Sequence, residues 1–314
     1  MTGKQLARFW LRLEQTSSRN EMTVILAELF SKASLDEIDK IVYLSLGRLA
    51  PLYQTIDFNL AERMMIRALA FSFKTDEAEV KKLFSQMGDI GGVAEKLASK
   101  TEAKRNINVG QLFQKLLEIA QQSGTGSQDR KIRLLSDLFS QLDPDTIRYV
   151  ARIPVGKLRL GFSEMTIIDA ISWMEGGNKD LKVELETAFN VNPDIGLLAK
   201  TFKQSGLPGI RKIKPVVGTP IKPALTERLP NPEKIVEKLG IFALEPKYDG
   251  FRVQIHFDRQ AKTDSTNLLF TDGGGISSLF SRRLENTTEM FPEIAQAVKK
   301  LPVKSVILDG ELIG

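Results

Sequence analysis

The chain of 314 residues is 42% hydrophobic and 26% charged, with a formal net charge of +5, one histidine and no cysteine. Such a length accommodates two domains with a large core, and the lack of cysteine excludes disulfides, thiol nucleophiles and cysteine-based zinc sites. No stretch approaches the roughly eighteen apolar residues of a membrane span and Met1-Thr2-Gly3-Lys4 has no signal-peptide core, so a cytoplasmic protein with no membrane partner is expected.

The basic excess allows a polyanionic partner without requiring one. From Lys4 to about Ser205 the apolar residues recur at helical spacing. Ser34-Leu35-Asp36-Glu37 reads as a capping-box start, with Leu35, Ile38, Ile41 and Val42 on the face behind it. Asn59 is placed to cap a helix over 60–73, and further helices are predicted over 81–86, 93–98, 109–121 and 131–142. Their Met, Leu and Phe side chains read as the core of a helical domain, with no convincing fixed-period repeat. Gly88-Asp89-Ile90-Gly91-Gly92 and Ser123-Gly124-Thr125-Gly126-Ser127 interrupt the series. Neither continues into Gly-Lys-Ser/Thr, so neither is a P-loop. A glycine-rich loop at a helix start can hold phosphate through its N–H groups, but an ordinary turn is the commoner outcome.

The segment Arg152-Ile153-Pro154-Val155-Gly156-Lys157-Leu158-Arg159-Leu160-Gly161 separates a helix ending near Val150 from one capped by Ser163. Lys157 and Arg159 alternate with Leu158 and Leu160, so the leucines can anchor the loop while both cations face outward. Cations and backbone N–H groups presented together suit duplex phosphates, a contact independent of base sequence. A solvated charge run is the plainer alternative.

Between Leu207 and Pro232 stand six prolines (Pro208, Pro215, Pro220, Pro223, Pro230 and Pro232) among Arg211, Lys212, Lys214 and Lys222. Such proline density excludes a long helix and reads as an extended, basic crossing. Beyond it the pattern turns α+β. A short helix is predicted over Pro232–Leu239, followed by a strand at Ile241-Phe242-Ala243-Leu244 and another in which Phe251, Val253, Ile255 and Phe257 alternate. A hairpin is predicted from 267–271 and 277–280 around Asp272-Gly273-Gly274-Gly275, then a helix over 290–300 and a buried strand over 305–308. His256 lies on the strand face opposite Phe251, Val253 and Ile255. One histidine without cysteines cannot build a zinc site, and a structural role is expected over general-base catalysis.

Between the two strands runs Glu245-Pro246-Lys247-Tyr248-Asp249-Gly250-Phe251-Arg252. A lysine amine is protonated at neutral pH and becomes a nucleophile only where desolvation or neighbouring cations lower its pKa. Arg252, and a divalent metal if one binds, would do this, while Asp249 is better suited to orient the amine or a ribose hydroxyl. Amine, arginine, metal and a close-approach glycine together suit attack on a phosphate. The plain alternative is a surface lysine beside a turn.

The pattern Lys-x-Asp-Gly-x-Arg, with Glu two residues before the lysine, resembles the nucleophile motif of the ATP-dependent DNA ligases, covalent nucleotidyltransferases. Ser281-Arg282-Arg283-Leu284-Glu285-Asn286 is similar to the family's Ser-Arg segment, and Val306-Ile307-Leu308-Asp309-Gly310-Glu311 to its strand ending in Asp-Gly-Glu. The loop at 157–161 resembles the Arg-Leu-Arg-Leu-Gly loop of the family's helical DNA-binding domain, with Lys157 where arginine is usual. Gly88-Asp89-Ile90-Gly91 and Ala188-Phe189-Asn190-Val191-Asn192-Pro193-Asp194-Ile195-Gly196 resemble other parts of that domain. Pro220-Ile221-Lys222-Pro223-Ala224-Leu225 resembles the lead-in to the adenylation domain. RNA ligases and capping enzymes share the lysine motif but not the helical domain, which argues for DNA.

The resemblance implies a multidomain fold: an all-α helical DNA-binding domain (1–207), a Pro-rich basic crossing (208–232) and an incomplete α+β nucleotidyltransferase (adenylation) domain (233–314). It implies ATP as substrate, Mg2+, and duplex DNA with a nick as partner, for a protein expected to be a monomer. Lys247 would attack the α-phosphate and carry AMP. Glu245 would contact the adenine amino group, Asp249 would hold lysine and ribose, and Arg252 would bind near ribose or phosphate. Arg282 would bind AMP or the nick phosphate, and Glu311 ribose or metal. Lys157, Arg159 and Gly161 would contact DNA. Members of the family continue past the Asp-Gly-Glu strand into the rest of that domain and an OB-fold domain, so an incomplete chain is expected, with a complementing C-terminal part as a possible partner. Two readings stay open: a DNA ligase cut short, or a non-catalytic module that clamps duplex or nicked DNA.

Overall fold

The computed structural model describes residues 1–101, 107–224, 227–261 and 275–313. The chain divides into two compact units. One comprises Met1–Pro51, Ile56–Ala188 and Asp194–Lys212; the other comprises Leu52–Thr55, Phe189–Pro193 and Ile213–Gly314.

The first unit is helical: α1 (Gly3–Glu14), α2 (Arg19–Lys32), α3 (Ile38–Ser45), α4 (Glu62–Phe73), α5 (Glu77–Met87), α6 (Ile90–Ala98), α7 (Val109–Gln121), α8 (Ser127–Phe139), α9 (Pro144–Val150), α10 (Glu164–Gly176), α11 (Lys182–Val191, which runs on past the unit at its C-terminal end) and α12 (Ile195–Ile210). Short polar side chains start many of them, because the first N–H groups of a helix have no partner inside it. Thr2 with Gln5 and Asn108 with Gln111 form capping boxes, and Asp143 caps α9 ahead of Pro144. The helices pack as the pairs α2–α10, α6–α9, α4–α8 and α3–α12. Trp10, Phe30, Phe139 and Tyr149 are buried among them, and the Trp10 indole N–H donates to Ser45 Oγ at 2.9 Å.

Three expected caps do not form. Ser163 stands at the N-cap position of α10, but its side chain accepts no capping hydrogen bond there. The Glu37 carboxylate is taken by the Met1 ammonium at 2.7 and 2.9 Å, so the capping box at Ser34 is diverted and α3 begins only at Ile38. Asn59 takes a left-handed backbone (φ 48°) instead of capping, and α4 starts later, behind Ala61.

In the second unit the described residues of the crossing carry no helix or strand up to α13 (Pro232–Leu239), which Asn231 caps. Three antiparallel strands follow, β1 (Phe251–Asp258), β2 (Ile276–Ser281) and β3 (Ser305–Leu312), in the order β2-β1-β3, with α14 (Pro292–Ala297) packed on one face. Val253, Leu279 and Ala295 form the core there, joined by Ile255, Phe291, Ile294 and Leu312.

The expected strand Ile241-Phe242-Ala243-Leu244 is not a strand. It has no ladder partner among the described residues, and Ile241 and Leu244 stand fully open to solvent. The strand expected at 305–308 forms and extends to Leu312. It is only half-buried or exposed because it is an edge of the described sheet. The first arm of the expected hairpin, 267–271, and its turn residues Asp272, Gly273 and Gly274 lie outside the described residues.

Candidate active site and nucleic-acid interface

In the helical unit, the loop after α9 follows the alternation of its sequence. Leu158 and Leu160 are buried while Lys157, Arg159 and Gly161 are exposed. Arg159 is held at φ 56°, a left-handed conformation that costs an L-residue about 1–2 kcal/mol. Lys157 is not fully free, since its ammonium pairs with Glu62.

Arg152 is different from the other cations of this stretch. It is 4% exposed, with Nη1 donating to Glu14 at 2.8 Å and Nε to Asp89 at 3.0 Å. Asp89 also accepts from the N–H groups of Gly91 and Gly92 at 3.2 and 2.9 Å. The start of α6 therefore already holds an anion, its own side chain, and is not an open phosphate cradle. Gly91 is required here, because a Cβ would lie 2.3 Å from the Arg148 carbonyl. The loop at 123–127 is likewise a turn, tied by Arg130 to the carbonyls of Ser123 and Thr125 at 2.8 and 3.0 Å.

In the second unit three separated segments meet around an open cleft of about 650 Å³. The Lys247 segment contributes Lys247, Tyr248 and Arg252, the turn after β2 contributes Ser281, Arg282 and Arg283, and β3 contributes Glu311. Ala224 closes one side. Glu245 and Asp249 are exposed and are not among the lining residues. Lys247 is exposed and has no hydrogen bond or ion pair among the described residues.

Local chemistry explains each placement. A Cβ at Gly250 would fall 2.2 Å from the Leu312 carbonyl, so the glycine permits close approach to β3, not to a ligand. Ser281 Oγ accepts from the N–H groups of Arg283 and Glu285, both at 3.2 Å, and Leu284 is left-handed (φ 69°). The resulting tight turn leaves Arg282 exposed at the cleft. Arg252 is opposite Glu311 in the β1–β3 register and forks onto Asp309, with Nε–Oδ1 at 3.0 Å. That bidentate bond with Asp309, with the charge of Glu311 beyond it, holds the guanidinium pKa above its ordinary value.

Asp309 was not singled out in the sequence as a site residue. Period-2 spacing places it on the same strand face as Glu311, which is the signal that could have found it. Glu311 cannot form a protein-only metal cage: no group of three His, Asp or Glu able to hold a metal exists among the described residues. One carboxylate does fit Mg2+ carried largely by substrate phosphates.

His256, on β1, is fully buried, edge-on to Phe280, and burial pushes its pKa down to about 4. Its Nδ1 accepts the Gly218 N–H at 3.1 Å. No helix among the described residues is long and apolar enough to cross a membrane.

Comparison with known proteins bears on both units. The family described as "DNA ligase N terminus" matches residues 3–172, and that described as "ATP dependent DNA ligase domain" matches residues 223–314. The chain is 42% identical over 310 residues to a "Probable DNA ligase" of Dictyoglomus thermophilum, covering 98% of this chain and 50% of that protein. It is 39% identical over 320 residues to "DNA ligase 2" of Thermofilum pendens, with 98% and 51% covered. It is 36% identical over 327 residues to a "DNA ligase" of Saccharolobus shibatae, with 100% and 52% covered. The chain thus spans about half the length of the curated relatives it matches. With one family match in the helical unit and the other across the lysine cleft, the chain belongs to the ATP-dependent DNA ligase family.

Proposed function

We propose that this chain supplies the DNA-gripping and lysine-adenylating parts of an ATP-dependent DNA ligase that seals nicks in duplex DNA. The observation that carries the reading is the cleft. Three segments far apart in sequence bring Lys247, Arg252, Arg282, Arg283 and Glu311 together. Four cations against two carboxylates, Glu285 and Glu311, suit a polyphosphate.

The neutral Lys247 amine attacks the α-phosphorus of ATP. A P–N bond forms, the bond from the α-phosphorus to the bridging oxygen breaks, pyrophosphate leaves and the amine proton passes to solvent. A 5′-phosphate oxygen of the nick then attacks the same phosphorus, the P–N bond breaks and AMP moves to DNA. Attack by the 3′-hydroxyl on the 5′-phosphate closes the strand and expels AMP. In each step placement and charge neutralisation do most of the catalysis. Arg252 and Arg282 offset phosphate charge, and Mg2+ held by Glu311 with the ATP phosphates would add to that. Glu245 is assigned to adenine and Asp249 to the lysine and ribose, on the motif alone. Lys157, Arg159 and Gly161 are assigned to duplex phosphates, with domain limits of 1–207 and 233–314 around the crossing.

The test is intact mass after incubation with ATP and Mg2+. An AMP adduct is expected on this chain and none on Lys247→Ala. No adduct on the unsubstituted chain, with nicked duplex still bound, would overturn self-adenylation in favour of a non-catalytic DNA clamp; adduct formation restored by a separately supplied C-terminal ligase half would put the missing chemistry in that partner.

A further inference from the structure

We infer that Gln254 and His256 are positioning residues that fasten the crossing segment along one face of the sheet and so set the Ala224 wall of the nucleotide cleft. The inference rests on reading that cleft as the nucleotide site.

The register assigns the faces. On β1, Val253, Ile255 and Phe257 point with Leu279 toward α14, so Arg252, Gln254 and His256 share the opposite face with Phe280, Ile307, Asp309 and Glu311. A half-covered sheet would carry solvated polar groups on such a face. Here Gln254 is 8% exposed and His256 0%. Buried polar side chains are costly unless bonded, and both bond to the crossing. Gln254 Oε1 accepts the Ile221 N–H at 2.9 Å and its amide donates back to the Ile221 carbonyl at 2.5 Å. One side chain thereby satisfies both backbone groups of one residue, as a neighbouring strand would. His256 Nδ1 accepts the Gly218 N–H at 3.1 Å. That bond requires an unprotonated Nδ1, consistent with the pKa that burial depresses to about 4.

The spacing then points at the cleft. Gly218 meets His256, Ile221 meets Gln254, and Ala224 lines the cleft with Arg252. Steps of three residues in the crossing match steps of two on β1. A proline-rich extended segment forms no internal ladder to hold its own path, so external partners must supply it. With Ile221 clamped, Ala224 is three residues away, a reach of at most about 10 Å.

Amide-resolved hydrogen exchange of the full chain tests the latch, and AMP-adduct formation against ATP concentration tests its consequence. Gln254→Leu is expected to speed Ile221 exchange at least ~10-fold, and His256→Leu to do the same at Gly218, with β1–β2 ladder amides still protected. Tenfold corresponds to about 1.4 kcal/mol, the upper end of what one net hydrogen bond contributes. Gln254→Leu should raise the ATP concentration for half-maximal adduct by roughly tenfold and leave the plateau rate within about threefold, a factor of ten being one hydrogen bond's worth of affinity. His256→Asn keeps an acceptor and should recover much of the effect at Gly218, whereas Gln254→Glu keeps the acceptor for the Ile221 N–H but not the donor to its carbonyl and should recover only part of it. Both also decide the matter should a leucine variant lose its ladder protection.

Unchanged Ile221 and Gly218 exchange would overturn the latch. Faster exchange with unchanged ATP dependence would overturn its role at the cleft. No adduct on the unsubstituted chain would overturn the adenylation reading and with it the claim about ATP, while exchange would still decide whether the latch exists.

Discussion

Buried Arg152 joins half-buried Glu14 and Asp89 in an ion triad, and the three groups answer for one another. Burial pushes the Asp89 carboxyl upward, but the Arg152 hydrogen bond and charge and the Gly91 and Gly92 N–H groups outweigh it and leave its pKa below the ordinary value. A depressed carboxyl contributes stability that is present above the unfolded pKa, about 3.9, and lost as pH falls through the folded value. Asp89→Asn keeps a cap but drops the charge. The stability gap between it and the unsubstituted chain should therefore be wide at pH 7 and shrink below about pH 4 in urea titrations. Arg152→Met leaves Glu14 with Arg148 and the Tyr149 hydroxyl and Asp89 with the Gly91 and Gly92 N–H groups, so the loss of its charge-assisted bonds should cost about 1–3 kcal/mol. Arg159 illustrates the opposite balance. Its left-handed backbone is strained, so Arg159→Gly should stabilise the helical unit by about 1 kcal/mol. The same change should weaken duplex binding if this cation meets a phosphate; tighter folding with unaltered DNA affinity would remove it from the interface.

Among the elements, β3 and α13 expose what their sequences prepare for contact. The helix α13 is amphipathic by spacing, yet none of its residues is buried. β3 leaves one edge unpaired among the described residues, with Leu308 and the following Ile313 exposed. Open apolar edges are templates for pairing with another chain. Ile313→Lys should lower concentration-dependent self-association in sedimentation velocity while shifting stability by no more than about 0.5 kcal/mol. Self-association that ignores this substitution would locate it elsewhere. The loop 157–161 is the reverse case: its alternation of leucine and cation was readable in advance, because a two-residue period depends only on which side chains avoid water.

For the protein as a chain of +5 net charge, sequence-independent phosphate contacts should dominate DNA affinity. The logarithm of the binding constant should fall linearly with the logarithm of salt concentration, and Lys157→Ala and Arg159→Ala should each reduce the slope by about 1. Lys247→Ala should leave that slope unchanged while abolishing the AMP adduct. Fluorescence anisotropy on nicked and intact duplexes reads the slope, and intact mass reads the adduct.

The run of helices, the short helix at Pro232–Leu239 and the strand beginning at Phe251 were legible in the residues, since periodicity and proline placement act over a few positions, and the three motifs of the cleft were legible through their resemblance to a family. Contacts between distant residues were not legible. Glu37 could not be known to meet the Met1 ammonium, nor Asp309 to hold Arg252. Equally hidden was that Ile241-Phe242-Ala243-Leu244, apolar enough for a strand, finds no ladder partner among the described residues. The polar face of β1 shows the difference most clearly. His256, with Gln254 beside it, stands on the strand face opposite the apolar residues, and the structural role expected of it gains its partner only from the crossing laid over that face. Local pattern says which side chains prefer to leave water, whereas what they leave it for depends on which distant backbone arrives there.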